Sequence, residues 1–284
     1  MTTAGRDDSG PPSSRLVDAA RASVLLGVLS PEELDEVVRA GRGVRAHRGR
    51  HVLHAGEPSV AVVLRGVAAV RRHTANGSEV VAELLGPGGV CGLTAALGHP
   101  DVTADVTALD DVQALLVPGR RLRHLVMTRP PIAHACLSAV TAQLADAHRE
   151  TARFAASSTA ARVELRLLEL ADRWGVDEGG AVRIGLPLTQ EELASWARSS
   201  RESTARTLQT LRRAGIIATG RRELTILDLP TLRARRQRDS ADPAIRELLR
   251  MSRSTPARNG GPADAHRSRD SRTSRDLSST GPGA

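Results

Sequence analysis

Residues 188–208 read Leu-Thr-Gln-Glu-Glu-Leu-Ala-Ser-Trp-Ala-Arg-Ser-Ser-Arg-Glu-Ser-Thr-Ala-Arg-Thr-Leu, and this stretch restricts the possible folds more than any other. It predicts two short helices joined by a tight turn. Thr189 followed three residues later by Glu192 forms a capping box. Ser200 is the N-cap of the second helix. Leu193 and Ala197 mark an apolar face on the first helix, and Thr204, Thr207, Leu208 and Leu211 mark one on the second at helical spacing. Arg201, Glu202, Ala205, Arg206 and Gln209 fall on the opposite, exposed face. Such a face suits a DNA major groove: Arg pairs bidentately with guanine, Glu accepts from cytosine, and Gln pairs with adenine. The alternative is an ordinary solvated helix face.

Charge concentrates in the same place. The 284-residue chain has 40 basic and 32 acidic residues, a net charge of +8, and every basic residue is Arg. Between Leu188 and Arg238, eleven Arg stand against five acids. A local excess of this kind fits a polyanionic partner. Aromatic residues make up 1% of the chain, with no Tyr, which argues against the stacking platforms of single-strand binders. Two distant cysteines, Cys91 and Cys136, argue against a disulfide scaffold and fit a reducing cytoplasm. There is no apolar run of signal-peptide or membrane-spanning length.

Composition divides the chain into five parts. Residues 1–14 are polar, with Gly and Pro, and are expected to be a disordered tail. Residues 15–129 hold short strands of a sandwich or roll, with flanking helices. Ser30-Pro31-Glu32-Glu33 opens one of those helices, and Val-rich runs at Val60–Leu64, Val67–Val70, Val80–Leu85 and Val112–Val117 predict strands, with Asn76-Gly77 as a hairpin turn. Residues 130–157 begin at Pro130-Pro131 and form a long helix. Its Leu137, Val140, Leu144, Ala147, Thr151 and Phe154 recur three and four apart, as in a heptad seam that pairs with a second copy; the alternative is packing on its own roll. Residues 158–238 carry the helix-turn-helix and a small hairpin wing, and residues 239–284 are expected to be a disordered Arg/Ser-rich tail. The fold class is therefore α+β: an N-terminal antiparallel roll, a long helix and a C-terminal winged helix-turn-helix.

This order resembles the Crp/Fnr superfamily of bacterial transcription regulators from about Leu25 to Leu229. The motif Gly49-x-x-Val52-Leu53-x-x-Gly56-Glu57 is similar to the family's early roll motif, Gly66-x-Ala68-x-Val70 to the following strand, and Ser200-Arg201-Glu202-Ser203-Thr204-Ala205-Arg206 to its recognition helix. The resemblance implies that Arg201, Glu202 and Arg206 read base edges and that Ser203 touches phosphate. Gln209 shares that face, and Arg221 and Arg222 in the wing are expected phosphate contacts. The family usually has Gly in the helix-turn-helix turn, where this chain has Arg198; a non-Gly residue there is strained if the turn needs positive φ.

The ligand pocket departs further. Cyclic-AMP-binding members hold the ribose with Gly-Glu and the cyclic phosphate with Arg-Ser; the matching positions here are Gly92-Leu93 and Val102-Thr103. The adenine-reading Thr-Ser pair falls at Ala147 and His148. Loss of the Arg removes a charge-assisted bidentate contact, so cyclic AMP is not the expected effector and the cofactor stays unassigned. An iron–sulfur cluster needs about four Cys. His47, His51 and His54 have no Cys or acid cluster beside them at ligand spacing, so no metal site is expected.

The sequence therefore predicts a homodimeric regulator that reads a palindromic duplex operator and has no enzymatic activity. Its implied partners are DNA, a second copy and RNA polymerase, with no membrane. Two alternatives stay open: a cyclic-nucleotide-responsive regulator with an altered pocket, and a ligand- or protein-interaction module that no longer reads DNA.

Overall fold

The computed structural model describes residues 6–9 and 21–239, except 75, 76, 78, 100–103, 221 and 222. Among the described residues, nine strands build the roll: β1 (Arg6–Ser9), β2 (Arg42–Ala46), β3 (His51–Leu53), β4 (Ser59–Arg65), β5 (Ala68–His73), β6 (Glu79–Leu85), β7 (Val90–Cys91), β8 (Asp105–Ala108) and β9 (Val112–Pro118). They form two antiparallel sheets, ordered β1-β2-β9-β4-β7 and β3-β8-β5-β6. The β5–β6 hairpin forms where the Asn-Gly signal stands, with His73 opposite Glu79 and Gly77 at φ 80°; Asn76 lies outside the described residues.

The Val-rich runs are continuous because both faces of these strands are covered. Along β4, Ala61 and Val63 face the roll interior with Val44, Val70, Val106 and Leu116. Val60, Val62 and Leu64 face outward, beneath a helical layer. That layer comprises α1 (Pro31–Ala40), α2 (Leu93–Leu97), α3 (Gly119–Thr128) and the N-terminal part of α4 (Pro130–Ala155). The outer face of the second sheet, through Val67, Ala69, Val81 and Leu84, is covered by the C-terminal domain instead. Period-two alternation thus feeds two different cores. The Ser30 capping box and Pro31 start α1 as its sequence dictates.

The C-terminal domain consists of α5 (Thr159–Trp174), β10 (Gly175–Asp177), β11 (Val182–Ile184), α6 (Gln190–Trp196), α7 (Arg201–Arg213), β12 (Ile217–Gly220), β13 (Glu223–Ile226) and α8 (Leu229–Asp239). The predicted wing is β12–β13, and β10 and β11 extend it to a sheet ordered β10-β11-β13-β12. Those two strands have three residues each, too few to show alternation.

Two expectations are corrected. Arg6–Ser9, placed in a disordered tail, forms β1 and pairs with β2. Its Arg-Asp-Asp-Ser sequence has no apolar alternation; what places it is the unpaired backbone edge of β2. Residues 240–284 lie outside the described residues. The heptad seam also ends early. Leu137 and Leu144 stand 62% and 54% exposed, but Phe154 is buried within its own chain. At 3.6 residues per turn, Phe154 lies roughly 100° around the helix from Leu137, which turns it toward α5. Val140 packs partly against the roll's helical layer.

Candidate nucleic-acid interface

The helix-turn-helix is α6, a four-residue turn and α7. Thr189 Oγ1 accepts from the Glu192 amide at 3.1 Å, and Glu192 Oε2 accepts from the Thr189 amide at 2.8 Å. Ser200 Oγ accepts from the Ser203 amide at 3.1 Å and starts α7. Leu193, Ala197, Thr204, Thr207, Leu208 and Leu211 are all buried, as their spacing predicts. Trp196, which the spacing argument passed over, is also buried, at 2% exposure.

Burial of that face leaves Arg201, Glu202, Arg206 and Gln209 exposed together on the other, with Ser203 partly covered. Arg206 Nη2 meets Glu202 Oε1 at 2.5 Å one turn away, an i,i+4 pair of small energetic value on so exposed a surface. This pair leaves both side chains in solvent, where a duplex can reach them. Arg212 Nη1 donates to Thr219 Oγ1 at 3.1 Å and ties the end of α7 to the wing. Arg221 and Arg222 lie outside the described residues.

The turn itself adopts the conformation that the sequence flagged. Arg198 has φ 49°, the one non-glycine with positive φ among the described residues. The Ser199 amide bonds Ala194 O at 2.9 Å and the Arg198 amide bonds Ser195 O at 3.0 Å. This is a Schellman cap with Arg at the position glycine usually takes. An L-residue held there costs roughly 1–2 kcal/mol.

The Arg198 side chain lies over the end of the long helix. Its guanidinium is 5.0 Å from the Phe154 ring centroid and 3.8 Å from Glu150. Arg166 and Arg162 stand 4.9 and 6.0 Å from the same ring. Arg162 donates to Ala197 O and Arg198 O at 3.1 Å each, and Arg166 Nε donates to Trp196 O at 3.1 Å. Two arginines of α5 therefore cap the last carbonyls of α6, where positive charge is favoured. Arg166, 6% exposed, is balanced by Glu150 and Glu169. Phe154 is thus the centre of an elbow joining long helix, α5 and turn. None of the sequence periodicities contained this cluster, because its members come from three separate elements.

The first helix also docks on the roll. Ser195 Oγ accepts from the Val81 amide at 2.8 Å, and Arg71 of β5 bridges Glu79 and Glu192. Burial opposes the charge on Glu192, but the Thr189 amide and Arg71 outweigh it and hold the carboxyl below its ordinary value.

Between roll, long helix and elbow lies a cavity of about 510 Å³. Gly92 and Leu93 line it, together with Arg72, Glu83, Gln143 and Ala147. Gly92 is required there: its φ is 83°, and a Cβ would meet Ser59 O at 2.2 Å. Leu93 is 1% exposed and packs in the outer core, so an apolar side chain stands where the resemblance would have an acid. His148 is corrected: Ala147 lines the cavity and His148 does not, although both are exposed, since one residue is about 100° of helix rotation. Val102 and Thr103 lie outside the described residues. The cavity reaches the elbow through Glu150, Phe154, Arg166 and Arg198. Glu83 is exposed on the surface of β6, but desolvation against the cavity wall raises its pKa, opposed by Arg173 and reinforced by Glu150, Glu169 and Asp146. Burial also pushes the Cys91 thiol up to about 12, which keeps it protonated.

The chain matches two family models: a cyclic nucleotide-binding domain over residues 44–129 and a Crp-like helix-turn-helix domain over residues 161–235. It is 29% identical over 221 residues to a CRP-like cAMP-activated global transcriptional regulator of Mycobacterium tuberculosis, covering 77% of this chain and 98% of the relative. It is 28% identical over 206 residues to a cyclic AMP receptor protein of Thermus thermophilus, covering 70% and 90%. A crystal structure of a CRP/FNR-family transcriptional regulator, also from Thermus thermophilus, superposes with TM-score 0.57 at 26% identity, over 69% of this chain and 98% of that one.

Proposed function

The chain belongs to the Crp/Fnr superfamily of DNA-binding transcription regulators, which are not enzymes, and from that premise we propose that it reads a palindromic operator as a homodimer and answers to an effector other than cyclic AMP. The observation carrying the DNA reading is the exposed quartet Arg201, Glu202, Arg206 and Gln209, set opposite the buried Thr204, Thr207, Leu208 and Leu211. Arg201, Glu202 and Arg206 reach base edges, with Gln209 further along the same face, and Ser203 reaches phosphate. Arg221 and Arg222 of the wing are assigned to phosphate as well. In a dimer the two recognition helices enter successive major grooves about one DNA turn apart. Leu137 and Leu144, exposed on one stripe of α4, support pairing between long helices.

The effector reading rests on Leu93. The cyclic-AMP-linked relatives make that nucleotide the first candidate, but a buried leucine supplies no acceptor for a ribose hydroxyl. A ligand in this cavity would meet Arg72 and Glu83 on the roll side and Arg198 on the elbow side, so occupancy would bear on the helix-turn-helix turn.

The test is selection of duplexes from a random pool, followed by binding of variants to single-base operator changes. Arg206→Ala should cost about 1–3 kcal/mol and relax preference at one position per half-site. Equal weakening on every duplex would remove Arg206 from base reading. Leu144→Glu should sediment as a monomer, and an unchanged dimer would move the interface elsewhere. Calorimetry that found micromolar cyclic AMP binding would sink the effector reading.

A further inference from the structure

Three histidines converge on one buried carboxylate at the edge of the roll. His51 lies on β3, His54 just after it, His73 at the end of β5, and Asp105 at the start of β8. Asp105 is 8% exposed. Its Oδ1 lies 3.4 Å from His51 Nδ1 and 4.0 Å from His54 Nδ1, and its Oδ2 lies 3.0 Å from His73 Nε2. The sequence expectation of no acid near these histidines is corrected: the acid arrives from β8, which pairs with both β3 and β5.

One atom in this cluster is unsatisfied. His51 Nδ1 is buried and has no hydrogen-bond partner among the described residues, an arrangement that costs free energy unless something else binds its lone pair. The His51 and His54 rings stack with centroids 4.4 Å apart, and both Nδ1 atoms lie within 4.0 Å of Asp105 Oδ1. Asp105 Oδ1 also accepts from the Ala55 amide at 2.9 Å, and its Oδ2 meets His73, so the carboxylate is fixed in place from both of its oxygens.

We propose that His51, His54 and Asp105 form a binding site for a first-row divalent transition ion of zinc type. Two imidazoles and one carboxylate suit such an ion better than magnesium or calcium, which select oxygen. Ligand atoms about 2.0–2.2 Å from a tetrahedral zinc lie roughly 3.3–3.5 Å apart, and the 3.4 Å separation of His51 Nδ1 from Asp105 Oδ1 already matches. His73 is a positioning residue: from the other oxygen it orients the carboxylate. A second trio, His73, Glu79 and Asp105, shares the same carboxylate, but Glu79 is engaged by Arg71. His47 is not part of the site, since its Nδ1 pairs with Asp111 at 2.9 Å. His54 is exposed, so solvent reaches the site.

The experiment is titration of the untagged full-length protein with cobalt(II), followed by its absorption spectrum, and with zinc by competition. One ion per chain is expected. His54→Gln, at an exposed position, should weaken binding at least about tenfold, and His51→Gln with His54→Gln should abolish it. His73→Gln should weaken it about 10–100-fold. His134→Gln, on the exposed side of α4, should leave it unchanged. Circular dichroism of each variant checks that the fold is retained. Absence of stoichiometric binding, or full affinity in His54→Gln, overturns the proposal. The readout is metal affinity alone, so the result stands whatever the DNA experiments return.

Discussion

The two helices of the DNA-binding motif end in the same backbone geometry with opposite residues. At the end of α7, Gly215 has φ 70°, its amide bonds Arg212 O and the Ile216 amide bonds Leu211 O. At the end of α6, Arg198 and Ser199 make the equivalent pair of bonds to Ser195 and Ala194. A Cβ at Gly215 would meet nothing within 4 Å, so glycine is there for its backbone freedom and not for space. Arg198 bears the strain, and its side chain makes contacts that no glycine can. Those contacts run to Phe154 and Glu150 on the long helix. A helix end that only has to stop uses glycine; one that also joins two domains carries a side chain into the left-handed region.

The comparison can be broken most forcefully at Arg166, which supports the elbow from below. Arg166→Ala removes a buried cation from between Glu150, Glu169 and Trp196 O. It should cost about 3–5 kcal/mol, read by denaturant unfolding. A loss below about 1 kcal/mol, the range of an exposed ion pair, would mean that the elbow is not a structural joint. Next comes Gly215→Ala. It has room for its methyl group, so any loss is conformational, about 1–2 kcal/mol; an unchanged midpoint would show that the cap relaxes. A finer distinction is available at the other cap. Arg198→Gly and Arg198→Ala lose the same contacts, but only Gly relieves the strain, so Gly should be the more stable by about 1 kcal/mol. Equality of the two would place position 198 outside the left-handed region.

The smallest effect is a pH dependence. Glu83 has a raised folded-state pKa, so in the window above its ordinary carboxylate value the folded protein holds a proton that the unfolded chain has lost. That makes stability fall as pH rises through the window. Glu83→Gln should flatten the slope there and raise stability at neutral pH. An unaltered profile would mean that Arg173, which opposes the shift, has neutralised it.

Local signals were legible wherever one segment carried the whole pattern. The Thr189–Glu192 box, the Ser200 cap, the buried positions of α6 and α7 and the four Val-rich strands all follow from neighbours within a few residues. The strain at Arg198 was legible as a condition, a residue where the resemblance would have glycine. The strands that escaped were short or, like β1, placed by another strand's edge. Phe154 escaped differently, since it satisfies a heptad count and yet lies on the inward side of the helix.

What the sequence determined by itself is therefore the order of parts and the chemistry of the reading face, because capping, periodicity and charge act within one element. Only the tertiary structure decided which cations meet Phe154 and which acid meets His51 and His54. The contacts of Arg198 with Phe154, and of Asp105 with the two histidines, join residues about 40–55 positions apart in the chain, and their energies depend on burial and mutual distance, neither of which a linear spacing contains.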